Sequence, residues 1–129
     1  MQKSGEDYLE AILMLSQESG KSAVRTTDIA NKLGVSKPSV SRAMSILKEE
    51  GYIDQETYGD IFLTAKGRAC ADDVYDRHKK LTTFFKDILG VEKHLAEHDA
   101  CLIEHDISKE SMQKLTEFVQ RYQDGLVER

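Results

Sequence analysis

The stretch TTDIANKLGVSKPSVSRAMSILKEEGYIDQETYGDIFLT, residues 26–64, constrains the fold of this chain more than any other. TTDIANKL predicts a short helix with Thr26 or Thr27 as its N-cap, broken at Gly34-Val35. Ser36-Lys37-Pro38 reads as a new start, Ser36 capping and Pro38 tolerated in the first turn, where its missing N–H costs nothing. The helix that follows runs to about Glu50 and stops at Gly51, with Val40, Ala43, Met44 and Leu47 on its inner face. Its outer face is left to Lys37, Ser41, Arg42, Ser45 and Lys48. Two short β-prone runs around Tyr58-Gly59-Asp60 then predict a hairpin.

Helix, tight turn, helix and hairpin form the winged helix-turn-helix pattern, in which the second helix can enter the major groove of DNA. The 129-residue chain has a net charge of −5, which argues weakly against a nucleic-acid partner if taken globally. Its distribution says more. Lys32, Lys37, Arg42 and Lys48 give residues 32–48 a local charge of +4 with no acid, whereas residues 73–129 carry −3. The residues placed to meet double-stranded DNA are Thr27, Ser36, Lys37, Pro38, Ser39, Ser41, Arg42 and Lys48, with Tyr58 at the hairpin tip near the backbone or minor groove. Arg42 is the most informative, because a guanidinium can bond guanine bidentately or clamp a phosphate. A basic helix that is merely solvated, or a winged-helix module for protein interaction, would carry the same pattern.

On either side lie helices. Residues 5–18 place Tyr8, Leu9, Ile12, Leu13 and Leu15 in one stripe, and Asp7 and Glu10 fall opposite its centre, on a face read as solvated. Thr64 can cap a helix over 65–89 with the stripe Cys70, Val74, Leu81, Phe85 and Ile88, into which His78 falls. Two more helices are predicted over roughly 91–106 and 109–127. The whole is expected to be mainly α: a winged helix-turn-helix over 1–72, then an all-helical domain over 73–129.

Cys101, Glu104 and His105 stand at spacings of three and four, which would set all three on one helix face about a turn apart. A thiol, a carboxylate and an imidazole are three kinds of metal ligand. Equally, Cys101 could be a small buried hydrophobe, His78 a core histidine bonded to a backbone carbonyl, and His94 and His98 exposed. Two cysteines 31 positions apart make a disulfide framework improbable. No apolar run approaches the ~20 residues of a membrane span. A reduced, cytoplasmic setting is expected.

At this point the chain resembles the diphtheria toxin repressor family of iron- and manganese-dependent transcriptional repressors, in its short two-domain form. The resemblance runs from EDYLEAILML through the helix-turn-helix and the wing YGDIFLTAKG to RHKKLTTFFKDILGV and ACLIEHDIS. It implies that Cys101, Glu104 and His105 are metal ligands, joined by His78 and by Asp7 and Glu10, whose face would then turn toward the metal. It further implies a homodimer that binds operator DNA, with Fe2+ or Mn2+ as corepressor and Zn2+ able to bind in vitro. Glu97 and Thr82 stand where the iron-sensing branch has a histidine and an acid, which puts an ancillary site in doubt. Cys101 stands where the manganese branch usually has Glu. A metal hydrolase is disfavoured by the lack of HExxH and of a Gly-rich phosphate loop. A winged-helix regulator answering to a small molecule, with incidental metal binding, is the competing reading.

Overall fold

The computed structural model describes residues 3–56 and 59–127. The chain divides into two compact units, Met1–Asp73 and Val74–Arg129, and the fold is mainly helical with one small sheet.

In the first unit, α1 spans Lys3–Ser19, α2 Thr26–Leu33 and α3 Lys37–Glu49. Leu9, Ile12 and Leu13 of α1, Ile29 of α2, and Val40, Met44 and Leu47 of α3 are buried, so each helix turns its apolar stripe inward. Neither threonine caps α2. The N-cap position is Arg25, without a side-chain bond, and its carbonyl accepts the N–H groups of Asp28 and Ile29 at 3.1 and 3.2 Å. Gly34 ends α2 in the left-handed conformation, φ 67°, which a residue with a Cβ adopts only with strain. Ser36 caps α3 as expected, its hydroxyl accepting from the Ser39 N–H.

The hairpin forms from β1, Ile53–Gln55, and β2, Ile61–Leu63, antiparallel with Ile53 opposite Leu63. Val24 adds a bridge that the sequence did not announce, exchanging bonds of 2.8 and 2.9 Å with Ile61. Tyr58 of the hairpin tip lies outside the described residues. Thr64 caps the next helix, α4 (Ala65–Thr83), as predicted: its hydroxyl accepts from Gly67 N–H at 3.1 Å and donates to Gly51 O at 2.7 Å. Here a glycine is obligatory, because a Cβ on Gly67 would sit 1.9 Å from the Tyr52 carbonyl oxygen.

The predicted helix over 65–89 does not stay α-helical throughout. It widens into a π-helical turn at Phe84–Ile88, with Leu89 N–H bonded to Phe84 O at 3.0 Å. The extra residue in the turn lets two adjacent aromatics pack: Phe84 edge-on against Phe118, and Phe85 against the cluster of Leu81, Ala100 and Met112. Two helices complete the second unit, α5 over Lys93–Ile103 and α6 over Lys109–Gln123. Both are shorter than the spans 91–106 and 109–127. Glu92 and Ser108 set their starts by accepting Leu95 N–H and Ser111 N–H through their side chains.

Candidate metal centre and nucleic-acid interface

Cys101, Glu104 and His105 were expected on one helix face, but α5 ends at Ile103, with Glu104 as its C-cap. Cys101 remains on the helix and is exposed, not a buried hydrophobe. Glu104 follows at the helix end with 0% of its surface exposed. His105 lies in the turn beyond, a segment closed by bonds of 3.0 Å from Asp106 N–H and Ile107 N–H to Ile103 O.

His78 comes from α4 to the same place. Its Nδ1 lies 2.8 Å from Glu104 Oε2, so the imidazole on the apolar stripe of α4 meets a buried carboxylate. On the other side, His105 Nε2 lies 3.3 Å from Glu104 Oε1. That contact lacks hydrogen-bond geometry, and Oε1 is buried without a hydrogen bond among the described residues. A buried carboxylate oxygen left in this state costs about 1–3 kcal/mol. Two imidazoles thus meet one buried carboxylate, donor types that suit a divalent transition metal, while the Cys101 thiol stands one turn back on the helix and exposed.

Sequence reasoning missed Arg77. Its Nη1 donates to the backbone carbonyl of Glu104, one of the orphan carbonyls that every helix leaves at its C-terminus. A guanidinium is well suited to that end of the helix dipole. The partner is a main-chain atom 27 positions away, so nothing in the sequence marks the pair. His94 and His98 are exposed, as expected, and take no part.

On α1, Asp7 is half-buried and Glu10 is buried, 8% exposed. This corrects the periodicity reading of a solvated face. Helical spacing fixes the direction of a side chain about its own axis but not what lies in that direction.

The residues expected to meet DNA lie largely at the surface. Thr27, Ser36, Lys37, Pro38, Ser41, Arg42 and Lys48 are exposed, and Ser39 is half-buried. Ser36 Oγ donates to Ser39 Oγ at 2.9 Å, and Arg42 Nη2 donates to the same oxygen at 3.3 Å. Lys48 Nζ reaches the Gln55 carbonyl of β1 at 3.5 Å, tying α3 to the hairpin.

Two known domain families match the chain. The iron dependent repressor N-terminal DNA binding domain matches residues 1–61, and the iron dependent repressor metal binding and dimerisation domain matches residues 64–124. An uncharacterized HTH-type transcriptional regulator of Methanocaldococcus jannaschii is 33% identical over 124 residues, 96% of this chain and 98% of that relative. The chain belongs to the diphtheria toxin repressor family. Within this family of metal-dependent transcriptional regulators, which are not enzymes, the HTH-type transcriptional regulator MntR of Bacillus subtilis is 34% identical over 121 residues, 94% of this chain and 83% of MntR. Among solved structures, a manganese-dependent transcriptional repressor in complex with manganese superposes with a TM-score of 0.81 at 30% identity, covering 97% of this chain. The manganese regulator SloR gives 0.78 at 28% identity over 93% of this chain. The chain spans about half the length of those two solved proteins, 54% and 55%. No helix among the described residues is long and apolar enough to cross a membrane.

Proposed function

We propose that this chain is a transcriptional repressor whose corepressor is a divalent metal, Fe2+ or Mn2+, and which binds double-stranded operator DNA as a homodimer. The observation that carries the reading is the buried Glu104 carboxylate, flanked by His78 and His105 and left with one oxygen unsatisfied. The ligand set is His78, Cys101, Glu104 and His105, completed by Asp7 and Glu10. A bound divalent ion supplies the positive charge that this set of carboxylates, thiol and imidazoles lacks.

The residues themselves do the remainder. Asp7 and Glu10 belong to the DNA-binding half and the other four to the helical half, so a ligand set drawn from both couples metal affinity to the DNA-competent state. The coupling is reciprocal: whatever metal adds to operator affinity, operator adds to metal affinity. Leu95 and Leu102, 52% and 47% exposed on α5, offer apolar area for the contact between two copies. A dimer presents two α3 helices, which must meet successive major grooves roughly 34 Å apart. Lys37, Arg42 and Lys48 supply phosphate and base contacts, and Pro38 supplies apolar contact to a thymine methyl.

Cys101 bears on the choice of metal. Thiolate is a soft ligand, which favours iron(II) and zinc over manganese(II), while the carboxylates suit manganese. We expect iron(II) to be the activating metal, with manganese second. The test is an operator-shift titration with iron(II), manganese(II) and zinc(II) under anaerobic, reducing conditions. Metal-dependent binding with iron(II) acting at the lowest concentration of the two physiological candidates supports the reading. Full operator affinity without metal refutes it and favours a regulator answering to a small molecule.

A further inference from the structure

Two consecutive residues of α4 hold the residue that caps the C-terminus of α5. His78 meets the Glu104 carboxylate at 2.8 Å, and Arg77 donates to the Glu104 main-chain carbonyl. We infer that Arg77 is a positioning residue for the metal site: it fixes the backbone from which Glu104 and His105 project, so that the donors are set before any ion arrives. The inference rests on the ligand set proposed above but concerns a residue outside it.

The geometry requires such a fixture. Glu104 is a C-cap and His105 lies beyond the helix, where chain ends fray because their carbonyls lack partners within the helix. Locally the turn is closed by bonds of 3.0 Å from Asp106 N–H and Ile107 N–H to Ile103 O. Arg77 contributes a charge-assisted bond from a different helix, and it is half-buried rather than free in solvent. A side chain fixed at its carboxylate alone could still swing about its own backbone. Held at the carbonyl by Arg77 and at the carboxylate by His78, Glu104 cannot. Loss of an outer partner that orients a ligand typically lowers metal affinity by about 10–100-fold.

The test compares the full chain with Arg77→Met, which keeps length and apolar volume, and Arg77→Lys, which keeps one cationic donor. Manganese(II) affinity is measured by calorimetry, and amide hydrogen exchange is followed in the metal-free proteins. For Arg77→Met we expect manganese affinity to fall about 10–100-fold. Exchange should accelerate at Asp106 and Ile107 but not at Met112–Val119 of α6, and Arg77→Lys should recover part of both effects. Wild-type affinity and exchange in Arg77→Met would overturn the inference. So would acceleration spread evenly over α4, α5 and α6, because that pattern is general destabilisation. If the wild-type chain binds neither manganese(II) nor iron(II), the metal reading fails, and the exchange pattern still decides whether Arg77 holds the turn.

Discussion

Replacing Glu104 by Gln separates the charge of the buried carboxylate from its shape. In the metal-free protein two effects oppose each other. The bond to His78 Nδ1, 2.8 Å long, changes from one with an ionised partner (about 1.5–3 kcal/mol) to a neutral one (about 0.5–1.5 kcal/mol). Against that loss of roughly 1 kcal/mol stands relief of a buried charge whose Oε1 has no hydrogen bond, about 1–3 kcal/mol. Metal-free Glu104→Gln should therefore match the wild type or exceed it by up to about 2 kcal/mol. With metal the order reverses. At a free concentration of 100 times the dissociation constant, a ligand that binds only the native state adds about 2.7 kcal/mol. For a chain of this length that is about 8–15 °C in Tm, which the amide variant should largely lose. The assay is thermal denaturation by circular dichroism with and without manganese(II). An equal metal-induced shift in both proteins would refute the reasoning, as would a metal-free variant destabilised by more than about 3 kcal/mol.

Three further outcomes are expected. Arg42→Ala should weaken specific operator binding by ~1–3 kcal/mol and leave metal affinity intact, because Arg42 lies on the exposed face of α3; anisotropy on operator and scrambled DNA checks it. Gly67→Ala should destabilise the DNA-binding half by about 2–4 kcal/mol in urea denaturation. Overpacking against Tyr52 O costs about 1–3 kcal/mol and strains the Thr64 bonds to Gly67 and Gly51, at about 1 kcal/mol each, against about 1 kcal/mol of helix propensity gained. Glu92 accepts the N–H groups of His94, foremost, and Leu95, which hold its carboxyl below the ordinary glutamate range. A depressed folded value means the stabilisation is present in full above the ordinary value of about 4.3 and is lost as pH falls through the lower folded one. The stability difference between wild type and Glu92→Gln should accordingly shrink through that acidic window, and carboxyl NMR titration should show the low midpoint.

What could be read from the sequence was what local chemistry determines. Gly34, Ser36 with Pro38, Gly51 and Thr64 each act within a few residues, and the helix-turn-helix and hairpin followed from them. Two of the finer features answered to partners distant in sequence. Val24 pairs with Ile61, 37 positions on, and the π-helical turn at Phe84–Ile88 accommodates Phe118. The same division holds at the candidate site. Spacing brought attention to Cys101, Glu104 and His105, but it could not show that α5 stops at Ile103, that Glu104 is buried while Cys101 is exposed, or that Glu10 is buried. Arg77 left no trace in the sequence because a backbone carbonyl has no residue identity. Thr26 and Thr27 marked the start of α2 correctly but do not cap it, since the Arg25 carbonyl takes the first helical bonds.

We propose that ligands in the two halves of the chain make operator binding depend on metal. Glu10 is the residue to change, and because it is buried the amide Glu10→Gln, not alanine, is the substitution that preserves packing. The measurement is the operator dissociation constant of wild type and Glu10→Gln, each metal-free and saturated with manganese(II), with folding of both checked by circular dichroism. A coupling of the usual size gives the wild type a gain of about 5–150-fold on adding metal, and the folded Glu10→Gln protein is predicted to gain almost nothing. A variant that gains as much as the wild type would contradict metal bridging through Glu10, as would a wild type whose operator affinity is unchanged by both manganese(II) and iron(II).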